Sequence, residues 1–224
     1  MTRTRLRALA ALGLASTVLL TGCSAVPDFN PGVAARVADD TVSLKSVDDL
    51  TADYCSAVET QLQDGQSYPN HYLRGLVASS LALRAAADQF GAEHGVSAGI
   101  AYHRAVTQFA QQLSSLTPTQ RDAVIEVQLA GQYVRDIQRA VGEQMGAPGG
   151  TKGQVAAGKK AFTAWLADND VQIDPRFSVS IDSGAPVPTD TSVSYPVGDS
   201  AKKAGATDPD VDYSNALPET QRCG

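Results

Sequence analysis

The sequence predicts an α+β fold, mostly helical: about five helices with a small antiparallel sheet formed by an N-terminal hairpin (33–44) and the 171–181 region. Three observations predict it. VAARV (33–37) and TVSL (41–44) are β-branched runs flanking ADD, three loop residues that suit a tight hairpin. Between 46 and 168 apolar residues recur at helical spacing. Then VQIDPRFSVSI (171–181) alternates apolar and polar residues, the period of a half-buried strand.

Each element has its own signal. Ser46 stands before VDDL, where its hydroxyl can cap a helix and Asp48 and Asp49 suit the positive helix N-terminus. The first helix spans 46–63, with Val47, Leu50, Tyr54, Val58 and Leu62 on one stripe and Cys55 beside it. DGQSYPN breaks the pattern. A second helix, 70–90, carries Leu73, Leu76, Val77, Leu81 and Phe90 until GAEHG interrupts it. The third, 96–115, places Val96, Ile100, His103, Phe109 and Leu113 on its stripe. Thr117 as cap and Pro118 at the first helical position open the fourth, 118–145. After GAPGG a fifth, 153–168, carries Val155, Phe162, Leu166 and Trp165. Pro175 confines the 171–181 segment to a sheet edge or splits it in two. SVSYPV (192–197) is one more short strand candidate, and 198–222 has little to bury.

The first 22 residues stand apart from this fold. MTRTRLR is a basic n-region, and Ala8–Leu20 is an apolar run of 13 residues. That is short of the roughly 20 a bilayer span needs, and it fits a secretory signal. Leu20-Thr21-Gly22-Cys23 then has the form of a bacterial lipobox, so Cys23 is expected to take lipid and become the new N-terminus. The organisation expected is a signal peptide (1–22), a tether (23–32), a helical domain with its small sheet (33–182) and a polar tail (183–224). The address is the cell membrane, by lipid anchor, on the extracytoplasmic face. Cleavage removes three Arg and no acid, taking the net charge from −6 to −9. An acidic surface argues against nucleic acid and against electrostatic attraction to anionic lipid, so attachment rests on the acyl chains. Outside the cytoplasm thiols oxidise, and two cysteines remain, Cys55 and Cys223. A bond between them pins the tail to the helical body.

Candidate chemistry fails position by position. GQVAAGKK (153–160) nearly matches a phosphate loop, but Lys160 stands where a magnesium-binding hydroxyl belongs and no strand precedes it. In DPDVDYSNALPE (208–219) acids fall at calcium-loop spacing, but Tyr213 replaces the glycine of the sharp turn. Calcium binding by this acidic tail stays open. His71, His94 and His103 show no metal-ligand spacing. Cys55 as a nucleophile competes with its place in a disulfide. The acidic pairs Asp39/Asp40 and Asp48/Asp49 suit a turn and a helix start. The expectation is a protein that is not an enzyme, with no cofactor, no metal and no catalytic residue.

VAARVADDTVSLKSVDDL resembles the opening of the SurA-type chaperone domain: a valine-rich strand, a turn, and a second strand running into a helix. VQIDPRFSVSI is similar to the strand that closes that domain, the match resting on Pro175, Arg176 and Phe177, with Ser178 and Asp174 where Gly and Asn are usual. The resemblance covers residues 30–182, and LPETQRCG resembles the ends of lipoproteins of this kind. The parvulin domain of that family has no counterpart after residue 182, so the resemblance implies the chaperone part without prolyl isomerase activity. It implies ATP-independent holding of exported polypeptides in an apolar groove between helices. Two other readings stand beside it: an adaptor docking one envelope protein, and a lipoprotein that binds a small molecule or lipid. A closed pocket favours the last and an open groove favours polypeptide.

Overall fold

A computed structural model describes residues 31–189, 196–206 and 208–224; Cys23 and most of SVSYPV lie outside them. The chain begins with strands β1 (Val33–Val37) and β2 (Asp40–Ser43), followed by helix α1 (Leu44–Glu59) and the short strand β3 (Tyr68–Pro69). Helices α2 (Asn70–Glu93), α3 (Ile100–Gln112), α4 (Pro118–Gln128), α5 (Ala130–Gln144) and α6 (Gly150–Asp168) form the body. Strands β4 (Val171–Ile173), β5 (Val179–Asp182) and β6 (Ala185–Pro188) come next. Helices α7 (Asp199–Ala204) and α8 (Val211–Ala216) and strand β7 (Arg222–Cys223) complete the order. The class is the α+β, mostly helical one expected, with eight helices among the described residues rather than about five.

The hairpin does pair with the distant segment. The sheet order is β2-β1-β4, with Ala35 opposite Ile173 and Val37 opposite Val171, all antiparallel. The ADD loop is shorter than expected: Ala38 and Asp39 make the turn and Asp40 already pairs with Val37. Pro175 splits 171–181. Pro175–Phe177 is a 3₁₀ turn, Ser178 takes φ 50°, and Val179–Asp182 pairs with Ala185–Pro188 instead of the first sheet.

Helix α2 is the central element. Its small residues Ala78, Ala82, Ala86 and Ala87 are all fully buried, which lets neighbours approach on every side. One cluster joins Val47, Tyr54, Leu73, Val77, Val124 and Phe177; a second joins Val37, Leu83, Phe90, Ile137, Phe162 and Trp165. Phe90 and Phe162 lie with ring centroids 5.2 Å apart, and burial of such a side chain contributes roughly 1.5–3 kcal/mol.

Several boundaries move for local reasons. The cap of α1 is Ser43, not Ser46: Ser43 Oγ accepts from Ser46 N at 2.9 Å. The 118–145 helix divides at Leu129, whose ψ of 5° leaves the helical range. In α3 the buried residue is Tyr102, while Ile100 is 77% exposed. Tyr102 packs edge-on against Tyr133 at 5.0 Å, and that contact sets the face the helix turns inward. Thr117 caps α4 as expected. Its N donates to Gln120 Oε1 at 3.0 Å and its Oγ1 accepts from Gln120 N at 3.4 Å. Gln120 also donates to Ser56 O on α1 at 3.0 Å. Thr117→Ala should lower stability by about 1 kcal/mol in urea denaturation, the usual cost of losing such a cap.

The tail is folded. Ser67 and Asn215 are joined at 2.7 Å, Asn215 Nδ2 donates to Gly65 O at 2.6 Å, and Asn70 Nδ2 donates to Thr220 O at 3.1 Å. Strand β7 pairs with β3, and Cys223 is fully buried. Sequence polarity hid this packing because its bonds are polar, two of these three side-chain bonds being made to main chain.

Candidate functional site

An open groove of about 490 Å³ runs beside the free edge of β2. Thr41, Val42 and Ser43 form one wall, continued by Ser46 of α1. The floor is one face of α2, where Leu81, Arg84, Ala85 and Asp88 recur at helical spacing. Glu126 of α4 stands on the far side. The groove therefore lies between a strand edge and helices, and polar and apolar side chains share its lining. The expectation is an apolar groove between helices.

The floor is fixed by a network that reaches under α2. Arg84 Nη1 donates to Tyr102 Oη at 3.1 Å, and its guanidinium lies 4.4 Å from the centroid of the Tyr133 ring. Tyr133 Oη donates to Asp88. One cation thus ties α2 to α3 and α5 through two aromatic rings. Gln89 Nε2 holds the hairpin above the same helix, donating to Val37 O at 2.7 Å and to Asp40 Oδ2 at 3.1 Å. These residues were absent from the sequence reading. An Arg and an Asp at i, i+4 on an Ala-rich helix read as an ordinary solvated pair until the tyrosines of two other helices are placed.

Two phenols have raised pKa values. Burial is the first cause at both Tyr54 and Tyr133, since it penalises the phenolate; at Tyr133 the Asp88 carboxylate adds to it, and at Tyr54 the amide of Gln128 partly offsets it. A group whose folded pKa is raised contributes stability below its unfolded pKa and loses it above. Stability should hold up to about pH 10 and fall as pH rises beyond it. Denaturation midpoints at pH 8 and pH 11 test this, and Tyr133→Phe should make the fall shallower.

The sequence candidates are placed as follows. Cys55 and Cys223 are joined in a disulfide, with Cα atoms 5.7 Å apart. Glu59 Oε1 lies 3.5 Å from Cys55 Sγ and accepts from Gly224 N at 3.3 Å. Among the described residues this trio is the set of Cys, His and acidic side chains close enough to hold a metal, but its two sulfurs are bonded to each other. His71 bonds Ala204 O at 3.2 Å, His94 packs against Phe90, and His103 is exposed on α3; the three do not converge. GQVAAGKK lies inside α6, so its main-chain N–H groups belong to a helix and not to a phosphate cradle. In 208–219, Asp210 caps α8, with Oδ1 accepting from Tyr213 N at 2.7 Å, and Val211–Ala216 is a helix where a calcium loop would need a turn. Asp48 pairs with Arg74, and Asp49 with Lys45, both at 2.5 Å. Among the described residues no helix is long and apolar enough to cross a membrane. Comparison with protein-family models, with curated proteins and with solved structures found no match.

Proposed function

We propose that this is a lipid-anchored, extracytoplasmic polypeptide-binding protein of the SurA-type chaperone kind, without the isomerase, holding exported chains independently of ATP. Lipid on Cys23 would keep it at the membrane. The signal and lipobox support the address, and so does a bonded Cys55–Cys223 pair, which suits an oxidising compartment. The pairing of the hairpin with Val171–Ile173 supports the family resemblance, which requires both segments to close one domain.

The observation that carries the reading is the open groove along a strand edge. An enclosed cavity would suit a small molecule or lipid; an open trough with main-chain groups on one wall suits an extended chain. The test is aggregation of a chemically unfolded client with the full mature chain at equimolar amounts. Suppression without ATP is expected, and no suppression would remove the reading.

A second reading, docking to one envelope partner, is favoured by the surface. Among the described residues the large apolar side chains left exposed are Ile100, Met145, Val187, Val197 and Val211, on separate segments. A general holder of unfolded chains usually offers more contiguous apolar area. A pull-down from envelope extract dominated by a single protein would select this reading.

A further inference from the structure

Among the described residues β2 is an edge strand of the sheet, and its register fixes which of its main-chain groups are free. Asp174 N donates to Ala34 O at 2.8 Å and Ala38 N donates to Asp170 O at 3.0 Å, with Arg36 opposite Gln172 between them. Residues 34, 36 and 38 therefore turn their main-chain groups toward β4. In an antiparallel ladder these groups alternate sides, so Ala35 and Val37 turn theirs toward β2. Thr41, opposite Arg36, is then a non-hydrogen-bonded partner of β1. Its N–H and C=O point away from the sheet, along the groove. Side chains alternate too: Val42, opposite the buried Ala35, faces α2, and Thr41 faces outward. Beyond β2 the face of α2 that holds Leu81 and Ala85 continues uncovered by any strand among the described residues.

We infer that the groove takes a fourth strand: an extended polypeptide segment that hydrogen-bonds Thr41, lays a small apolar residue over Leu81 and Ala85, and carries Lys or Arg toward Asp88 and Glu126. This rests on the polypeptide-binding reading and names its mode and ligand chemistry. Charge selects the basic ligand. Glu126 makes no ion pair among the described residues, and Asp88 accepts a tyrosine hydroxyl. Arg84, the lining's one cation, is held by Tyr102 and Tyr133. The lining is therefore net negative, in a chain that is itself acidic, and a basic segment is drawn to it. Four residues of strand span about 13 Å, close to the rise of about 10 Å along α2 from Leu81 to Asp88.

The probe is a labelled peptide, Lys-Thr-Val-Thr-Val-Thr-Lys, whose Val and Lys share one face, titrated into the full mature chain. Two further probes carry N-methyl groups on the Thr nitrogens or on the Val and second Lys nitrogens, and a fourth replaces Lys by Glu. The parent should bind, and one N-methylated probe, not the other, should bind at least tenfold more weakly. Loss from the Thr set indicates antiparallel addition; loss from the other set indicates parallel addition. The Glu peptide should bind at least tenfold more weakly than the parent, and Glu126→Lys, shown folded by circular dichroism, should narrow that gap at least threefold. The inference is overturned if both N-methylated probes match the parent, if both lose equally, or if the Glu peptide binds as well as the Lys peptide. It is also overturned, with the functional reading intact, if the parent peptide does not bind while an unfolded client is still held; if neither is held, both fall.

Discussion

Gly158→Ala should destabilise the protein by about 3 kcal/mol or more, although the same change in an open helix position is favourable. A Cβ at 158 would stand 1.7 Å from Gln138 O, and one at Gly142 would stand 1.9 Å from Gln154 O. Both obstacles are main chain, which cannot rotate aside. α5 and α6 pack backbone to backbone, and a methyl group forces the helices apart. Overpacking usually costs about 1–3 kcal/mol, and a rigid obstacle on two packed helices places this site at the upper end or beyond. The propensity gain of Ala over Gly, about 1 kcal/mol, does not offset it. Gly131 is the control: it lies in α5 with nothing within 4 Å of an added Cβ. Gly131→Ala should raise stability by up to about 1 kcal/mol in the same urea experiment, so the two substitutions should differ in sign. The damage should reach the groove, because α6 leads into β4, β4 pairs with β1, and β1 holds β2 in place.

Replacing Cys55 and Cys223 together by Ser is the second large effect. The bond closes a loop across 168 residues of sequence, for which the chain-entropy model gives about 5 kcal/mol, an upper figure. A loss of about 3–5 kcal/mol is expected. Among the described residues the tail's remaining ties to the body include Asn215 with Ser67 and Gly65, Asn70 with Thr220, His71 with Ala204 O, Gly224 N with Glu59, and the two-residue pairing of β3 with β7. The side-chain bonds among these are exposed or half-exposed and contribute little individually. Amides of 211–223 should therefore exchange at least tenfold faster in the double variant, while those of the β2-β1-β4 sheet keep their protection relative to global unfolding. Equal loosening of tail and sheet would show that the bond supports the whole domain and not the tail.

Local signals were legible and close approaches were not. The hairpin, the Thr117 cap and the return to period two at Val171 are written in adjacent residues; the pairing of Val33–Val37 with Val171–Ile173 is not, and its expectation came from the family resemblance. The second hairpin was missed although Ser183-Gly184, with φ of 51° and 80°, is a turn signal. Pro186 and Pro188 in its second strand disguised it. Gly142 and Gly158 showed in the sequence as glycines within helices, each a cost without visible reason; the reason is the opposing backbone. The groove was legible only in part. Val42 stands in a β-branched run and Leu81 on an apolar helix stripe, and their place on a rim depends on the sheet stopping at β2, which no local pattern encodes.

Hydrogen exchange of the full mature chain, alone and with an equimolar unfolded client, tests the groove as the binding site most directly. Protection should rise at least tenfold at the Thr41 amide, since a bound strand would cover the edge it faces. Protection that rises elsewhere and leaves Thr41 unchanged would contradict it.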